Sequence, residues 1–300
     1  MLGGANPRRL QAECPIDLYC VLVAVTAAPI VSITFEGKPM HKTFIRIALV
    51  LLAAGLTFIA GPVHAENEPA SIVEMWVVIP KDGHATELNA ALKEHMAFRS
   101  EQGDPWKWDA YTPLLGDDLD RVAVRSCCHQ WADMDTYAEW LKGNSHVNAH
   151  FGEHVAPHVE KYEHFYEKID WANSHWNTEG GPYTFFAVTE FDVKAGHDAD
   201  FRAALEKMSQ IAIEQGWAND DRNWVWSSTI GGKPTVSIVV PHENMASMAG
   251  SGESFGEFLA RQLGSPDAAA ELMQQFSGST WGSNYQIWVH ETGLSASSED

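Results

Sequence analysis

The sequence predicts an α+β fold in which two copies of one β-α-β-β-α-β unit lie in tandem and share an interior. Three observations predict it. Lys81-Asp82-Gly83-His84 returns as Lys194-Ala195-Gly196-His197, Ala90-Ala91-Leu92 as Ala203-Ala204-Leu205, and Glu101-Gln102-Gly103 as Glu214-Gln215-Gly216, each 113 residues on. Trp106-Lys107-Trp108 is answered by Trp224-Val225-Trp226 at 118, and His129 by His242 at 113 again, so a loop gain is cancelled by an equal loss. Register restored in this way marks a duplication. Strand and helix patterns also follow the same order in both copies. Finally, Val73–Ile79 and Val236–Val240 are apolar on both faces. Helices cover one face of such a unit, and the other copy's sheet is the simplest cover for the second.

Each element follows from local chemistry. Ile72–Pro80 is an apolar, β-branched run and reads as the first strand. Gly83 turns the chain, and helical spacing runs from Ala85 to Gln102, where Gly103 stops it. Trp106–Tyr111 and Arg121–Cys128 read as a strand pair joined through Gly116-Asp117-Asp118. Helical pattern covers Ala132–Leu141 and Ser145–Tyr162, and Glu163–Ile169 closes the copy as a strand. Trp171–Pro182, ending in Gly180-Gly181-Pro182, is a linker. The second copy has strands Tyr183–Val193, Asn223–Ser228, Thr235–Val240 and Asn284–Glu291, a helix over Asp198–Gln215 and shorter helical pieces within Glu243–Gln275. The expected repeats are 66–175 and 176–293, with a flexible loop at Gly250-Ser251-Gly252 and a flexible tail over 294–300.

Ahead of the repeats, Met40-His41-Lys42-Thr43-Phe44-Ile45-Arg46 is a short basic start. Ile45 to Ala60 is apolar apart from Arg46 and Thr57, and Ala65 is small enough for a peptidase. Residues 40–65 therefore read as a signal peptide, and the mature chain as periplasmic or secreted. A membrane anchor is the alternative, but the run has about 15 residues where a span needs about 20. Residues 1–39 fit poorly before such a signal; they read as a doubtful leader ahead of a true start at Met40, or as part of a two-helix membrane hairpin. With 45% hydrophobic residues the chain can bury a core, and 20 Lys+Arg against 40 Asp+Glu leave a net charge of −20. An acidic surface repels phosphate backbones and anionic bilayers, so neither nucleic acid nor, after cleavage, a stable membrane contact is expected. Four cysteines are too few for a disulfide scaffold of this length. Cys127 and Cys128 should point to opposite faces of a strand as packed thiols, with a bridge between them as the rare alternative.

The strand ending before Lys-x-Gly-His and its helix, the third strand leading into Trp131-Ala132-Asp133, and Asn144-Ser145-His146 beyond it resemble the dimeric α/β-barrel superfamily of ferredoxin-like domains. Within it the chain is most similar to antibiotic-biosynthesis-monooxygenase and NIPSNAP-type domains in tandem, over residues 72–291. The resemblance implies two ferredoxin-like repeats forming an intramolecular dimeric α/β barrel, an internal pseudo-dimer with a cleft. It implies no single reaction, because the superfamily holds cofactor-free monooxygenases, haem-handling enzymes and members without known activity.

Several residues are candidates for chemistry. The inward stripe of the first helix is Leu88, Leu92, His95 and Arg99, where the second copy has Phe201, Leu205, Met208 and Ala212. His95 and Arg99 are therefore the candidate catalytic pair, facing a polar pocket between helix and sheet where a neutral imidazole would act as a base. The alternatives place them at the stripe's edge, or make His95 a hydrogen-bonded core residue. Trp106, Trp108, Trp224 and Trp226 set two indoles on one strand face in each copy, to line a pocket for a flat molecule or to fill a core. His129, His242 and His146 complete the candidate ligand-binding set; the alternative for His129 and His242 is a loop geometry shared by the two copies.

His146, His150, His154 and His158 recur at fours beside a buried stripe of Val147, Phe151, Val155 and Val159. His150 and His154 are the alternative metal pair. They also spell H-x-x-E-H, but Gly152 weakens that helix and no third ligand is in view. No P-loop, G-x-S-x-G or C-x-x-C-H occurs, and no G-x-G-x-x-G follows a strand. No cofactor is expected; haem on His95, His129 or His146 is the alternative that the resemblance leaves open. The sequence thus points to an exported binder of a small, partly aromatic molecule, which the resemblance extends to oxidation without a metal. The rivals are a haem or metal protein and a non-enzymatic interaction module with a filled interior.

Overall fold

The computed structural model describes residues 69–177, 180–250 and 252–296. The expected leader and signal peptide lie outside them. The first half runs β1 (Ile72–Pro80), α1 (Ala85–Glu101), β2 (Asp109–Leu115), β3 (Val122–His129), α2 (Trp131–Gly143), α3 (Ser145–His150), a π-helical turn over Phe151–Val155, a 3₁₀ turn over Ala156–His158, and β4 (Val159–Ile169). The second runs β5 (Phe185–Val193), α4 (Asp198–Glu214), β6 (Val225–Ile230), β7 (Val236–His242), a 3₁₀ turn over Met245–Ala249, α5 (Phe255–Leu263), α6 (Pro266–Gly278) and β8 (Thr280–His290).

Equivalent residues do equivalent work in the two halves. Gly83 and Gly196 take φ of +76° and +84°, which a side chain would resist, and so turn each first strand into its helix. Lys81 Nζ donates to the Pro157 carbonyl and Lys194 Nζ to that of Gly278, each at 2.7 Å, tying that turn to the end of the last helical segment. The eight strands close into one barrel in the order β1-β3-β2-β8-β5-β7-β6-β4, and every pair is antiparallel. The halves meet along two seams, β2 with β8 and β4 with β6, so no strand is left as an open edge. The stretches expected as the two repeats, 66–175 and 176–293, contribute four strands each to this one barrel.

Helices pack on the outside. Leu88, Leu92 and Met96 of α1 meet Val78, Val124, Trp106 and Trp108, while Phe201, Leu205 and Ala212 of α4 meet Trp224, Trp226 and Val236. A third cluster joins Met208 to Phe258, Leu259 and Leu272 of α5 and α6. Among the described residues no helix is long and apolar enough to cross a membrane.

Three local expectations need correction. The helical pattern read over Ser145–Tyr162 ends at His158, and Val159–Tyr162 belongs to β4. A spacing of four keeps one face in a strand as well as in a helix, so Val155 and Val159 could not reveal the change. The second strand begins at Asp109, leaving Trp106 and Trp108 in the approach to it. Residues 294–296 of the expected flexible tail are anchored: Ala296 N donates to the Trp108 carbonyl at 2.8 Å, Ala110 N donates to Ser295 Oγ at 3.0 Å, and Leu294 and Ala296 join the Trp108 cluster. Apolar contact with Trp108 holds them, and residues 297–300 lie outside the described set. Ser251, in the middle of the expected flexible loop, also lies outside it.

Candidate functional site

The helix–sheet space expected to hold the ligand is occupied by side chains. His95 is 3% exposed and its Nδ1 lies 3.2 Å from His150 Nδ1, with Phe151 edge-on to its ring. Burial above all, then the charges of Arg99, His150 and His154, lower its pKa to about 3, so the imidazole is neutral. Arg99 pairs with Asp104 at 2.6 Å, contacts the Tyr137 hydroxyl and lies 5.0 Å over the Trp108 ring. Burial drives the Tyr137 phenol up. Trp106 stacks between His129 and Tyr137, with centroids 3.8 Å from each. His129 bonds Ser126 Oγ at 2.9 Å, and burial lowers its pKa. Trp224 donates from Nε1 to the Asn173 carbonyl and Trp226 packs in the α4 cluster. His242 sits 3.4 Å from Ser247 Oγ, and exposed His146 bonds Gln102 at 2.9 Å. His95 and Arg99 thus share a buried neighbourhood with Trp106 and Trp108. None of the nine residues borders the main cavity.

That cavity lies inside the barrel and has a volume of about 1120 Å³. The common interior is therefore neither the dry sheet-to-sheet contact suggested by apolar strands nor the filled core of the interaction-module reading. Its walls come from alternate strand positions, as the two-residue period requires. Arg121, Ala123, Arg125 and Cys127 face it along β3 and its approach, Glu163, Phe165 and Glu167 along β4, and Val225, Ser227 and Thr229 along β6. Trp171 and Trp176, from the segment read as a linker, also border it. Cys127 and Cys128 are joined in a disulfide, in place of the packed thiols expected, and both lie on the cavity wall.

The cavity concentrates charge in an aromatic setting. Glu167 accepts from Ser227 Oγ at 3.3 Å. Burial pushes its carboxyl up and Glu190 adds to the rise, against the pull of the Arg125 charge and the Ser227 hydrogen bond. Burial also raises the Tyr111 phenol, although Arg125 bonds it and favours the anion. Burial alone would raise Asp109, but a 3.2 Å contact with His290, with help from Lys107 and Arg125, brings it below the ordinary carboxylate value. Tyr111 stands edge-on to Phe186 at 5.3 Å. Arg121 donates from Nη2 to Gln286 Oε1 at 2.6 Å and lies 4.9 Å from the Trp288 ring centroid, while its buried Nε has no acceptor. Convergent polar groups in a concave, partly aromatic chamber are what a small-molecule site requires. A carboxyl held toward its neutral form can exchange a proton with a bound molecule.

The haem alternative does not fit these residues. An axial histidine needs an open coordination face, whereas His95 is enclosed by His150 and Phe151, His129 by Trp106 and Ser126, and His146 does not border the cavity. Of the alternative metal pair, His150 is engaged with His95, and its ring centroid lies 4.3 Å from that of His154. Among the described residues no group of three or more His, Cys, Asp or Glu side chains converges as a metal site.

The sequence reading missed Arg121, Arg125, Glu163, Glu167 and Glu190. The available signal was charge at every second or fourth position within β-rich segments, which reads equally well as a wet outer face.

No protein-family model matches the chain, and no curated protein resembles it in sequence. Solved structures of similar fold include a candidate monooxygenase from Lactobacillus acidophilus NCFM, 10% identical, with a TM-score of 0.47 over 77% of this chain and 97% of that one. A chlorite dismutase variant from Candidatus Nitrospira defluvii is 9% identical, with a TM-score of 0.46 over 75% and 93%. An anthrone oxidase-like protein is 10% identical, with a TM-score of 0.41 over 78% and 95%. At such low identity and partial superposition, activity does not transfer from them to this chain.

Proposed function

We propose that the protein binds a small, partly aromatic organic molecule inside the barrel, and that Glu167 exchanges a proton with it. The observation that carries this reading is the chamber of about 1120 Å³ with a half-buried, upward-shifted carboxyl, that of Glu167, on its wall. Pockets of roughly 300–1,000 Å³ enclose most of a drug-sized molecule, so the space suits such a ligand better than it suits a packing defect. The enzymatic form of the reading is oxidation without a metal. Glu167 as carboxylate would take a proton from an activated CH₂ group, and the carbanion would reduce dioxygen. One oxygen atom would be retained as C=O and the other released as water. We further infer that the halves are tandem ferredoxin-like copies, from the 113-residue register and the matching Lys81 and Lys194 contacts. Export after cleavage at Ala65 is part of the same proposal, and N-terminal sequencing of the secreted chain tests it.

The binding reading is tested with anilinonaphthalene sulfonate and with mass spectrometry of molecules released from the isolated chain. Saturable dye fluorescence, displaced by whatever the chain releases, supports it. A folded chain that neither takes up the dye nor releases an organic molecule sinks it. For the oxidation, oxygen uptake with the released molecule should be abolished in Glu167→Gln while binding persists.

A further inference from the structure

The charge pattern of the cavity wall carries the reading one step further, to the chemical class of the ligand. Arg125 on β3 and Arg121, the residue just before that strand, are four residues apart, and both border the chamber. Among the described residues neither guanidinium takes part in an ion pair. Arg121 rests against Trp288 and bonds Gln286, yet its Nε has no acceptor. Arg125 bonds Tyr111 and acts on Glu167 and Asp109 only through its charge. The acids on the wall are largely occupied: Asp109 has His290 and Lys107, Glu163 has Lys161, and Asp192 has Lys233 at 3.1 Å. Glu167 is drawn toward its neutral form and so opposes an incoming anion weakly. Beside the two cations, Tyr111, Phe186 and Trp288 present aromatic surface.

We propose that the ligand is a flat aromatic acid, with its ring against Tyr111, Phe186 and Trp288 and its carboxylate on Arg121 and Arg125. This rests on the binding reading above. The planar guanidinium fork matches a carboxylate in two-point geometry, and a charge-assisted hydrogen bond is stronger than a neutral one. Glu190, which has no cation in ion-pair contact among the described residues, is the feature that would instead favour an amine.

The test compares three probes of nearly equal size on the purified chain: 2-naphthoate, 2-naphthylmethanol and 2-naphthylmethylamine, titrated by calorimetry at neutral pH. Naphthoate is expected to bind at least about tenfold more tightly than the alcohol. Arg121→Met and Arg125→Met should each reduce that preference, read as the ratio of naphthoate to alcohol affinity within each variant. If the amine binds most tightly, or the three bind equally, the aromatic-acid assignment is overturned and the binding reading stands. If none binds saturably, the aromatic-acid assignment is overturned, and dye uptake with mass spectrometry decides the binding reading. Should a variant fail to fold, the order of the three probes on the unaltered chain still decides.

Discussion

His95 has an ordinary pKa of 6.5 and is lowered to about 3 in the folded chain, by burial first and then by Arg99, His150 and His154. The unfolded chain takes up that proton near pH 6.5 and the folded chain only near pH 3, so acid removes stability across this window. His95→Met, which copies Met208 of the other half, should abolish that loss. Urea unfolding is expected to show the variant gaining on the parent as pH falls from about 7 to about 4, by a few kcal/mol at the acid end. Binding in the barrel should be unchanged, since His95 does not border the cavity. Glu167 behaves in the opposite sense. Its folded pKa is raised above the ordinary 4.5, so the parent loses stability as pH rises from 4.5 through the folded value. Glu167→Gln should therefore be more stable than the parent at alkaline pH, and no more stable well below pH 4.5. A thermal-unfolding series across pH checks it, and a gain that appears only in acid would refute it.

At the scale of elements, the anchored residues after β8 show how a short segment completes a core. Ala296 is 5% exposed, and its backbone pairs with Trp108. Ala296→Asp would force a carboxylate into the apolar Trp108 cluster, and should cost about 2–3 kcal/mol and shift tryptophan emission to the red. An unchanged denaturation midpoint would show that the segment is dispensable. Much of this level was legible from sequence. The repeated Lys-x-Gly-His turns located β1, α1, β5 and α4 to within a few residues, because a glycine at positive φ, a helix start and an apolar run all agree there. Legibility failed where one spacing serves two structures, as at Val155 and Val159. It failed again where order depends on distant contact, as at Leu294–Ala296.

For the whole molecule, closure decides what sequence could reveal about the site. Glu163-x-Phe165-x-Glu167 and Arg121-x-Ala123-x-Arg125 have the alternation of strands wet on one face. Only the β2–β8 and β4–β6 seams turn those faces onto a common interior. His95, Arg99 and the tryptophans drew notice because histidine and indole are conspicuous on a helix-covered face, yet they serve the packing outside the barrel. Because every strand pairs around the ring, unfolding should be one cooperative transition. Circular dichroism and tryptophan fluorescence are expected to report coincident midpoints, and two separated midpoints would show the halves to be independent.

Two similar halves would ordinarily suggest two binding places, but strands joined in a ring enclose a single space. A titration should therefore reach equivalence at one guest per polypeptide. The halves also cannot specialise apart: a substitution on the inner surface of either remodels the room that both enclose.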